Sequence, residues 1–340
     1  MNLNFASDNA GPAHPEVMAA LVAANAGASM PYGADDGTAS ARDAMRALLG
    51  WPDAAVLLVA TGTGANALAL SGLVKPYQTI LCHRDAHVQA DECGAVEAAT
   101  GGSKLTLVDG EGGRMTPEGL EARLAGMGLR GVHGQAKGAL SLTNLTEWGT
   151  LYAPADVAAL AEVARAHGMP VHLDGARFAN AVAAAGCSAA EMAAPLDALV
   201  FGGTKNGCLG VEAVVMRDPA RAEEMEYRRM RAGQLWSKHR FLAAQFGAYL
   251  ADDLWLRNAR AANAAGARLW NGLRGLGAAF VHEPAANMCF VRLDRAAHER
   301  ALAEAAYYRM DDAERPLCRL VCDWTKTEAE VDRLLELVAG

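Results

Sequence analysis

The chain has 340 residues, more than one hydrophobic core usually supports, so we expect one large and one smaller domain. Its 31 basic and 39 acidic residues give a formal net charge of −8, which argues against a nucleic-acid or anionic-membrane partner. Its seven cysteines are an odd number without a Cys-x-x-Cys pair, so we expect a reducing cytoplasm, no disulfide scaffold and no metal site.

The N-terminal part contains no segment that we interpret as a signal peptide or a membrane span. Residues 1–8 lack a basic region followed by an apolar stretch. Residues 54–74 carry no charge over about the length of a membrane-spanning helix. Because Thr-Gly-Thr-Gly-Ala-Asn at 61–66 interrupts this run, we interpret it as a strand, a turn and a helix.

Short apolar runs alternate with helical patterns through the first two thirds of the chain. A proline-started helix follows Thr116, a capping box spans 188–191, and another helix runs from Pro154 to Gly168. This alternation predicts an α/β fold with a mostly parallel sheet flanked by helices. The predicted strands cover residues 56–60, 79–82, 105–108, 139–143, 171–173, 198–201 and 211–216.

The pattern changes after about residue 216. Helices are predicted over 219–231, 237–250 and 255–276, strands over 288–293 and 317–321, and a final helix after Thr327. These elements predict a small C-terminal α+β domain reached through a long helix. We therefore divide the chain into a large domain, residues 1–235, and a small domain, residues 236–340, with residues 1–30 helping to form the site of the large domain.

The segment 61–66 lies between a predicted strand and a predicted helix, where backbone N–H groups and the helix dipole can bind an anion. Small residues such as Gly62 let the backbone approach a phosphate, and the Thr63 hydroxyl adds a donor. Two alternatives remain. The glycines can serve a tight turn alone, or Gly62-x-Gly64-x-x-Ala67 can be a loose dinucleotide fingerprint.

An aspartate and a lysine end two other strands of the predicted sheet. Asp174 follows the strand at 171–173, and Lys205 follows the strand at 198–201. Pyridoxal phosphate (PLP) needs an acid at its ring nitrogen and an amine at its aldehyde, and this pair supplies both. Taken singly, Asp174 could cap a helix and Lys205 could be a surface lysine. Arg177 is a candidate for bidentate binding of a substrate carboxylate or, alternatively, a surface arginine.

Two histidines are candidates for further roles beside these residues. His87 follows the strand at 79–82, where its ring could stack on a flat cofactor, although His83 is a nearby rival. His133 precedes the strand at 139–143, and a plain loop position is its simpler interpretation. Either His87, His133 or an ordered water could be the base that accepts a substrate proton.

Together these residues resemble the L-threonine aldolases, PLP enzymes of fold type I, over residues 7–210 and more faintly at the C-terminus. His-Leu-Asp-Gly-Ala-Arg at 172–177 is a hallmark of that family, and residues 61–66 resemble its phosphate loop. Ser-Asp-Asn at 7–9, Tyr-Gly with an aspartate at 32–35, and Asp-Glu-x-Gly at 91–94 after His87 match further motifs.

The resemblance implies roles for the cofactor-binding residues. Lys205 would bond to the PLP aldehyde, Asp174 would bind the ring nitrogen, and His87 would stack on the ring. Gly62 and Thr63 would hold the phosphate. The full cofactor-binding set is Gly62, Thr63, Asn66, His87, Asp174, Arg177 and Lys205.

The resemblance also implies how an amino-acid substrate and further subunits bind. Ser7, Arg177 and Arg319 would hold the substrate carboxylate, although Arg319 could instead belong to a plain edge strand. Because the family forms homotetramers built as dimers of dimers, Tyr32 and basic residues between 228 and 238 would serve the neighbouring subunit's site.

The chain departs from the family pattern at two places. Thr-Lys-Asn-Gly-Cys stands at 204–208 where the family commonly has Ser-Lys-Gly-Leu-Gly, and Leu-Thr-Asn-Leu-Thr-Glu at 142–147 lacks the family's histidine. We therefore predict a divergent, low-specificity or phenylserine-aldolase-like branch that cleaves L-threonine, L-allo-threonine or related β-hydroxy amino acids. The alternatives are an aminotransferase or β-eliminating lyase, a nicotinamide-dependent dehydrogenase, and a non-catalytic regulator of the same fold.

Overall fold

The computed structural model describes residues 3–340, which form a large sheet, a small sheet and a two-stranded ribbon. The strands are β1 (Leu3–Asn4), β2 (Ala55–Val59), β3 (Gln78–His83), β4 (Lys104–Val108), β5 (Ala136–Thr143), β6 (Val171–Gly175), β7 (Ala198–Gly202), β8 (Glu212–Met216), β9 (Ala279–Phe280), β10 (Met288–Arg292), β11 (Ala305–Ala306), β12 (Tyr308–Arg309) and β13 (Leu317–Val321).

The large sheet has seven strands in the order β2-β8-β7-β6-β5-β3-β4. Strand β8 runs antiparallel to both of its neighbours, and all the other pairs are parallel. This confirms the predicted mostly parallel sheet, and each predicted strand of the large domain matches one of the seven. Because the other six strands point the same way, their carboxyl ends share one edge of the sheet, and the amino end of β8 joins them there.

Helices cover both faces of the large sheet, and their ends follow local sequence signals. Helix α2 begins where the Asp35 side chain accepts the Thr38 N–H at 2.8 Å, and it ends at Gly50 with a φ of 65°. The helices are α1 (Pro15–Ala24), α2 (Asp36–Leu49), α3 (Gly62–Leu73), α4 (His87–Ala90), α5 (Ala95–Thr100), α6 (Pro117–Ala125), α7 (Pro154–Ala166), α8 (Phe178–Ala185), α9 (Ala189–Ala193), α10 (Ala222–Arg231), α11 (Arg240–Leu250), α12 (Leu254–Gly275), α13 (Arg295–Leu302) and α14 (Glu328–Ala339). Within residues 3–340, no helix has the length and apolar character that crossing a membrane requires.

The small sheet is antiparallel, in the order β12-β13-β10-β9, and it packs with the second half of α12 and with α13 and α14. Strand β1 pairs in parallel with β11, so the chain's first strand belongs to this C-terminal unit. The short strands β9, β11 and β12 were not predicted, because two-residue strands carry too little sequence pattern.

The two hydrophobic cores divide inside α12 rather than near residue 235. Trp255 and Ala259, in the first half of α12, pack with α11 in the core of the large sheet. Leu269 and Leu273, in its second half, pack in the core of the small sheet. We therefore propose a division within α12, later in the chain than the boundary between 235 and 236 that the sequence suggested.

Gly202, at the end of β7, permits the close approach of β6 and β7. A Cβ at Gly202 would lie 2.6 Å from the Ala176 carbonyl oxygen and 2.8 Å from that of Gly175. We expect Gly202→Ala to lower the free energy of unfolding by about 1–3 kcal/mol, because backbone would have to move. Urea unfolding should show this loss, whereas Gly247→Ala in α11, where nothing lies within 4 Å, should be neutral or slightly stabilising. Equal midpoints for the two variants would contradict the packing argument.

Candidate active site

A cavity of about 280 Å³ opens at the edge of the large sheet where the carboxyl ends of its parallel strands meet. Ligands of open α/β sheets bind at this edge. The loops after β2, β3, β5, β6 and β7 all contribute to its wall. The structure thus brings together these predicted residues: Gly62, Thr63, Asn66, His87, Asp174, Arg177 and Lys205.

The start of α3 forms one end of the cavity. Thr61 caps this helix, and its hydroxyl accepts the Gly64 N–H at 3.1 Å. Gly62 and Thr63 are the first residues of the helix, so their N–H groups have no partner within it. Helix α3 has twelve residues including these two, and the positive end of its dipole faces the cavity. This end is suited to a phosphate.

Asn66, on α3, connects two acids that line the cavity wall. Its amide nitrogen donates to Asp174 Oδ2 at 2.9 Å and to Glu92 Oε1 at 2.8 Å. The other Asp174 oxygen, Oδ1, accepts the Ala176 N–H at 3.0 Å. These bonds fix the carboxylate of Asp174, which is 2% exposed. A buried carboxylate held in this way is suited to a protonated ring nitrogen.

His87 lies beside this acid pair. Its Nδ1 is 2.8 Å from Glu92 Oε1, and ligand atoms of His87, Glu92 and Asp174 all lie within 4.8 Å of one another. The hydrogen bond that Glu92 accepts from His87 raises the pKa of His87, and burial raises the pKa of Glu92. The rival, His83, is held by the backbone at Gly110 and Asp85 instead. The geometry therefore favours His87 as the ring that faces a cofactor.

Lys205 enters the cavity from the short turn Thr204–Asn206 that follows β7. Burial, followed by the charge of the Arg177 guanidinium, lowers the pKa of its ammonium group. A lysine must lose its proton before it can attack a carbonyl carbon, so this surrounding favours the nucleophilic form. The cavity therefore contains an activated amine and a fixed carboxylate.

Arg177 forms a buried ion pair that the sequence did not predict. Its Nε donates to Asp8 Oδ2 at 2.6 Å, and its Nη2 donates to Asp8 Oδ1 at 2.9 Å. Asp8 thus occupies the Nε and Nη2 side of the guanidinium, and Nη1 takes no part in the ion pair. A substrate carboxylate can therefore meet Arg177 at the end formed by Nη1 and the second N–H of Nη2, or by displacing Asp8.

A second cavity of about 550 Å³ adjoins the first and shares Asn9, His87, Glu147, Arg177 and Lys205 with it. Ser7 and Arg319, both predicted to bind the substrate carboxylate, line this second cavity. Burial lowers the pKa of Arg319. The position of Arg319, on β13 of the small sheet, shows that this part of the site lies between the two units of the chain.

Two predicted residues lie outside these cavities. His133 is exposed in the short turn Gly131–His133, before the amino end of β5. Since a strand rises about 3.3 Å per residue, the eight residues of β5 separate His133 from the site edge, so the structure does not bring His133 together with the other predicted site residues. Tyr32 is 52% exposed and lines neither cavity within one chain.

Two buried glutamates of the cavity were missed by sequence analysis. Burial raises the pKa of Glu147 to about 7, and that of Glu212 to about 7. Glu147 Oε1 accepts a hydrogen bond from the backbone N–H of His87 at 2.8 Å, and Glu212 Oε2 accepts one from the backbone N–H of Gly203 at 2.9 Å. The sequence did contain a signal for Glu212, because it is a lone acid inside the apolar run 211–216. Glu147 had a weaker one, its place just past the end of β5.

The match to known proteins accords with this geometry. A family model described as beta-eliminating lyase matches residues 4–296. A low specificity L-threonine aldolase from Pseudomonas aeruginosa is 39% identical over 338 residues, which cover 98% of this chain and 95% of that protein. The chain belongs to the low-specificity L-threonine aldolase family. A second aldolase of this family, from a Pseudomonas species, is 38% identical over 97% of this chain and 95% of its own length.

Solved structures extend the likeness within the threonine aldolases. Threonine aldolase from Leishmania major superposes with a TM-score of 0.93 at 26% identity, covering 98% of each chain. Serine palmitoyltransferase from Sphingomonas wittichii, at 18% identity and a TM-score of 0.74, shares the fold alone. These findings confirm the predicted family, the fold type I architecture and the assignment of the chain as an enzyme.

Proposed function

We propose that the protein is a PLP-dependent aldolase that cleaves L-threonine, L-allo-threonine and related L-β-hydroxy-α-amino acids to glycine and an aldehyde. The observation that carries the proposal is that Lys205 and Asp174 line one cavity of about 280 Å³, with His87 in its wall. The names of the relatives from Pseudomonas support the same reaction.

The residues of the cavity fit PLP. Nothing lies within 4 Å of the position that a Cβ at Gly62 would take, so the space above the start of α3 is free for a phosphate. Gly62 and Thr63 would hold that phosphate, Asp174 the ring nitrogen, and His87 one ring face. Lys205 would bond to the aldehyde carbon. When bound, PLP supplies an electron sink for the charge that develops at the substrate Cα.

The other residues of the site would orient the substrate. Arg319, Ser7 and the Nη1 side of Arg177 would hold the substrate carboxylate. Fixing the carboxylate sets the rotation about the bond to the amine, so that the Cα–Cβ bond stands perpendicular to the cofactor ring. Asp174 would keep the ring nitrogen protonated. This orientation favours cleavage of the Cα–Cβ bond over loss of the Cα proton.

The second cavity supports a broad substrate range that includes phenylserine. Beyond Lys205 its wall contains large apolar and aromatic side chains, and its volume of about 550 Å³ exceeds what a methyl group needs. Aromatic rings pack well against such walls. These walls are formed by Trp148, Met288, Phe290, Tyr308 and Met310.

Product analysis separates this proposal from the alternatives. The purified protein, supplied with PLP, should release glycine and the matching aldehyde from L-threonine, L-allo-threonine and phenylserine. An aminotransferase would instead need a keto-acid acceptor, and a β-eliminating lyase would release ammonia and a keto acid. Release of either product set without glycine would overturn the aldolase assignment.

We also propose that the protein acts as a homo-oligomer, a dimer of dimers, in which Tyr32 completes a neighbouring site. The Tyr32 N–H donates to the Ser237 carbonyl oxygen at 3.1 Å, so these two loops lie side by side. Large apolar side chains are exposed around them, as expected of a protein interface. The exposed residues are Met30, Tyr32, Tyr227, Met230 and Trp236.

A complementation experiment tests the role of Tyr32. Tyr32→Ala and Lys205→Ala should each be inactive or weakly active as pure oligomers. After the two are mixed and refolded together, a hybrid dimer should contain one site with both native residues, so activity should return. Lack of recovery in hybrids verified by mass spectrometry would place Tyr32 outside the partner's site.

The cysteines support a reducing compartment, and we propose the cytoplasm. All seven are free thiols, and five of them are buried. Burial raises the pKa of Cys82 to about 12, which keeps that thiol protonated and unreactive. Cys93 is exposed and would be the first to oxidise outside a reducing environment.

A further inference from the structure

Glu147 is the one acid of the cavity that the proposed roles do not use and that reaches both cavities. It follows β5, at the place where the chain lacks the histidine that the sequence comparison led us to expect. The candidate His133 lies at the other edge of the sheet, so the acid–base group of the reaction must be found among the residues that line the cavities.

The Glu147 carboxylate is anchored through one oxygen only. Its Oε1 accepts a hydrogen bond from the backbone N–H of His87 at 2.8 Å. Its Oε2 is buried and has no hydrogen-bond partner among residues 3–340. A buried carboxylate oxygen without a partner is costly, and a hydroxyl donor would remove that cost. The wall shared by the two cavities, which also contains Lys205, therefore includes a carboxylate oxygen that accepts no hydrogen bond from the described part of the chain.

We propose that Glu147 is the general base that accepts the β-hydroxyl proton of the substrate at Oε2. This proposal rests on the proposed aldolase function and deepens it. As the proton moves to Oε2, the electron pair of the O–H bond forms the aldehyde C=O bond, and the Cα–Cβ pair stays on Cα. The protonated Glu147 then returns the proton to solvent, and Cα takes up one proton from solvent, so that glycine and the aldehyde together contain all the atoms of the substrate.

The charges around Glu147 suit a base that works near neutral pH. Burial and the Asp174 charge raise the pKa of Glu147 to about 7, and the His87 backbone N–H opposes them. The charge of the His87 imidazole also lowers the pKa of Glu147, and Cys82, Tyr152 and Arg177 are further titratable neighbours that sense the Glu147 charge. Since the base must be ionised, kcat/KM should fall as the pH drops below about 7.

Glu147→Gln tests the proposal, because the amide keeps an oxygen for the His87 N–H but cannot accept a proton. We expect kcat for L-threonine cleavage to fall about 10²–10⁴-fold and the fall below pH 7 to disappear. Exchange of the glycine Cα hydrogen in D₂O, followed by NMR, needs no hydroxyl base and should stay within about threefold of wild type. PLP affinity and the visible spectrum should not change. Glu147→Asp should recover part of the loss.

A matched control is Glu97→Gln in α5, since Glu97 also has a buried oxygen without a partner but lines neither cavity. It should keep both reactions. A cleavage rate of Glu147→Gln within tenfold of the wild-type rate would overturn the proposal. An equal loss of cleavage, exchange and PLP affinity would also overturn it, because it would indicate a structural or cofactor-binding role. A wild-type protein that exchanges glycine hydrogen but cleaves no β-hydroxy amino acid would overturn the aldolase function itself.

Discussion

Lys205→Ala should abolish aldol cleavage, with a loss of about 10⁴-fold or more, as when the nucleophile of a covalent catalyst is removed. Lys205 is the lysine of the cavity, and burial with the Arg177 charge lowers its pKa. Alanine removes the amine that would bond to PLP and leaves the rest of the wall intact. Initial rates with L-threonine, read by aldehyde detection, measure the loss.

Two further measurements make this prediction specific to Lys205. Borohydride reduction of the wild type should fix the cofactor on the peptide that contains Lys205, as seen by mass spectrometry. Small primary amines such as ethylamine should restore part of the rate of Lys205→Ala. Lys104→Ala, an exposed lysine on β4, is the control and should keep full activity. A reduced cofactor on any other lysine would refute the assignment.

Asp174→Ala should lower kcat about 10²–10³-fold, the usual loss when one preorganised electrostatic partner is removed. Asp174 is 2% exposed and is held by Asn66 and the Ala176 N–H. Without its charge, the ring nitrogen of PLP would lose its proton more readily and would attract electrons less strongly. PLP affinity should also fall, which a titration of the visible absorbance measures.

A modified cofactor separates this electronic role from a structural one. PLP methylated at the ring nitrogen carries a permanent positive charge and needs no acid. Loaded with it, Asp174→Ala should recover a large part of the lost rate, because alanine leaves room for the methyl group. If methylated PLP binds to the variant yet brings no recovery, Asp174 contributes through packing with Asn66 rather than through charge.

The sequence predicted the large sheet, and it predicted residues that the structure brings into one cavity, for a local reason. Asp174 lies at the carboxyl end of β6, and the segment 61–66 and Lys205 follow within three residues of the ends of β2 and β7, strands with a clear apolar pattern. Parallel strands place their carboxyl ends together, so three separate chain positions imply one cavity. No long-range contact had to be known to bring these residues to the same edge.

Other features depend on contacts between distant parts of the chain. The ion pair of Arg177 with Asp8 joins residues that are far apart in sequence, and the residues next to each of them contain no pattern that predicts the pair. His133 was misplaced because a residue before a strand and a residue after it lie on opposite edges of the sheet. The boundary that we propose within α12 lies later than the one suggested by the sequence, because α11 is apolar on the face that packs against the large sheet, and periodicity alone does not assign that face to a partner.

The first strand has a mechanical consequence for substrate recognition. Residues 3–5 are tied to the small sheet, since β1 pairs with β11 and the Phe5 carbonyl oxygen accepts the Val321 N–H. Three residues later, Asp8 forms an ion pair with Arg177, which belongs to the other unit of the chain. The amino-terminal segment thus links the small sheet to Arg177, and any displacement of the C-terminal unit would be transmitted through Asp8 to the guanidinium.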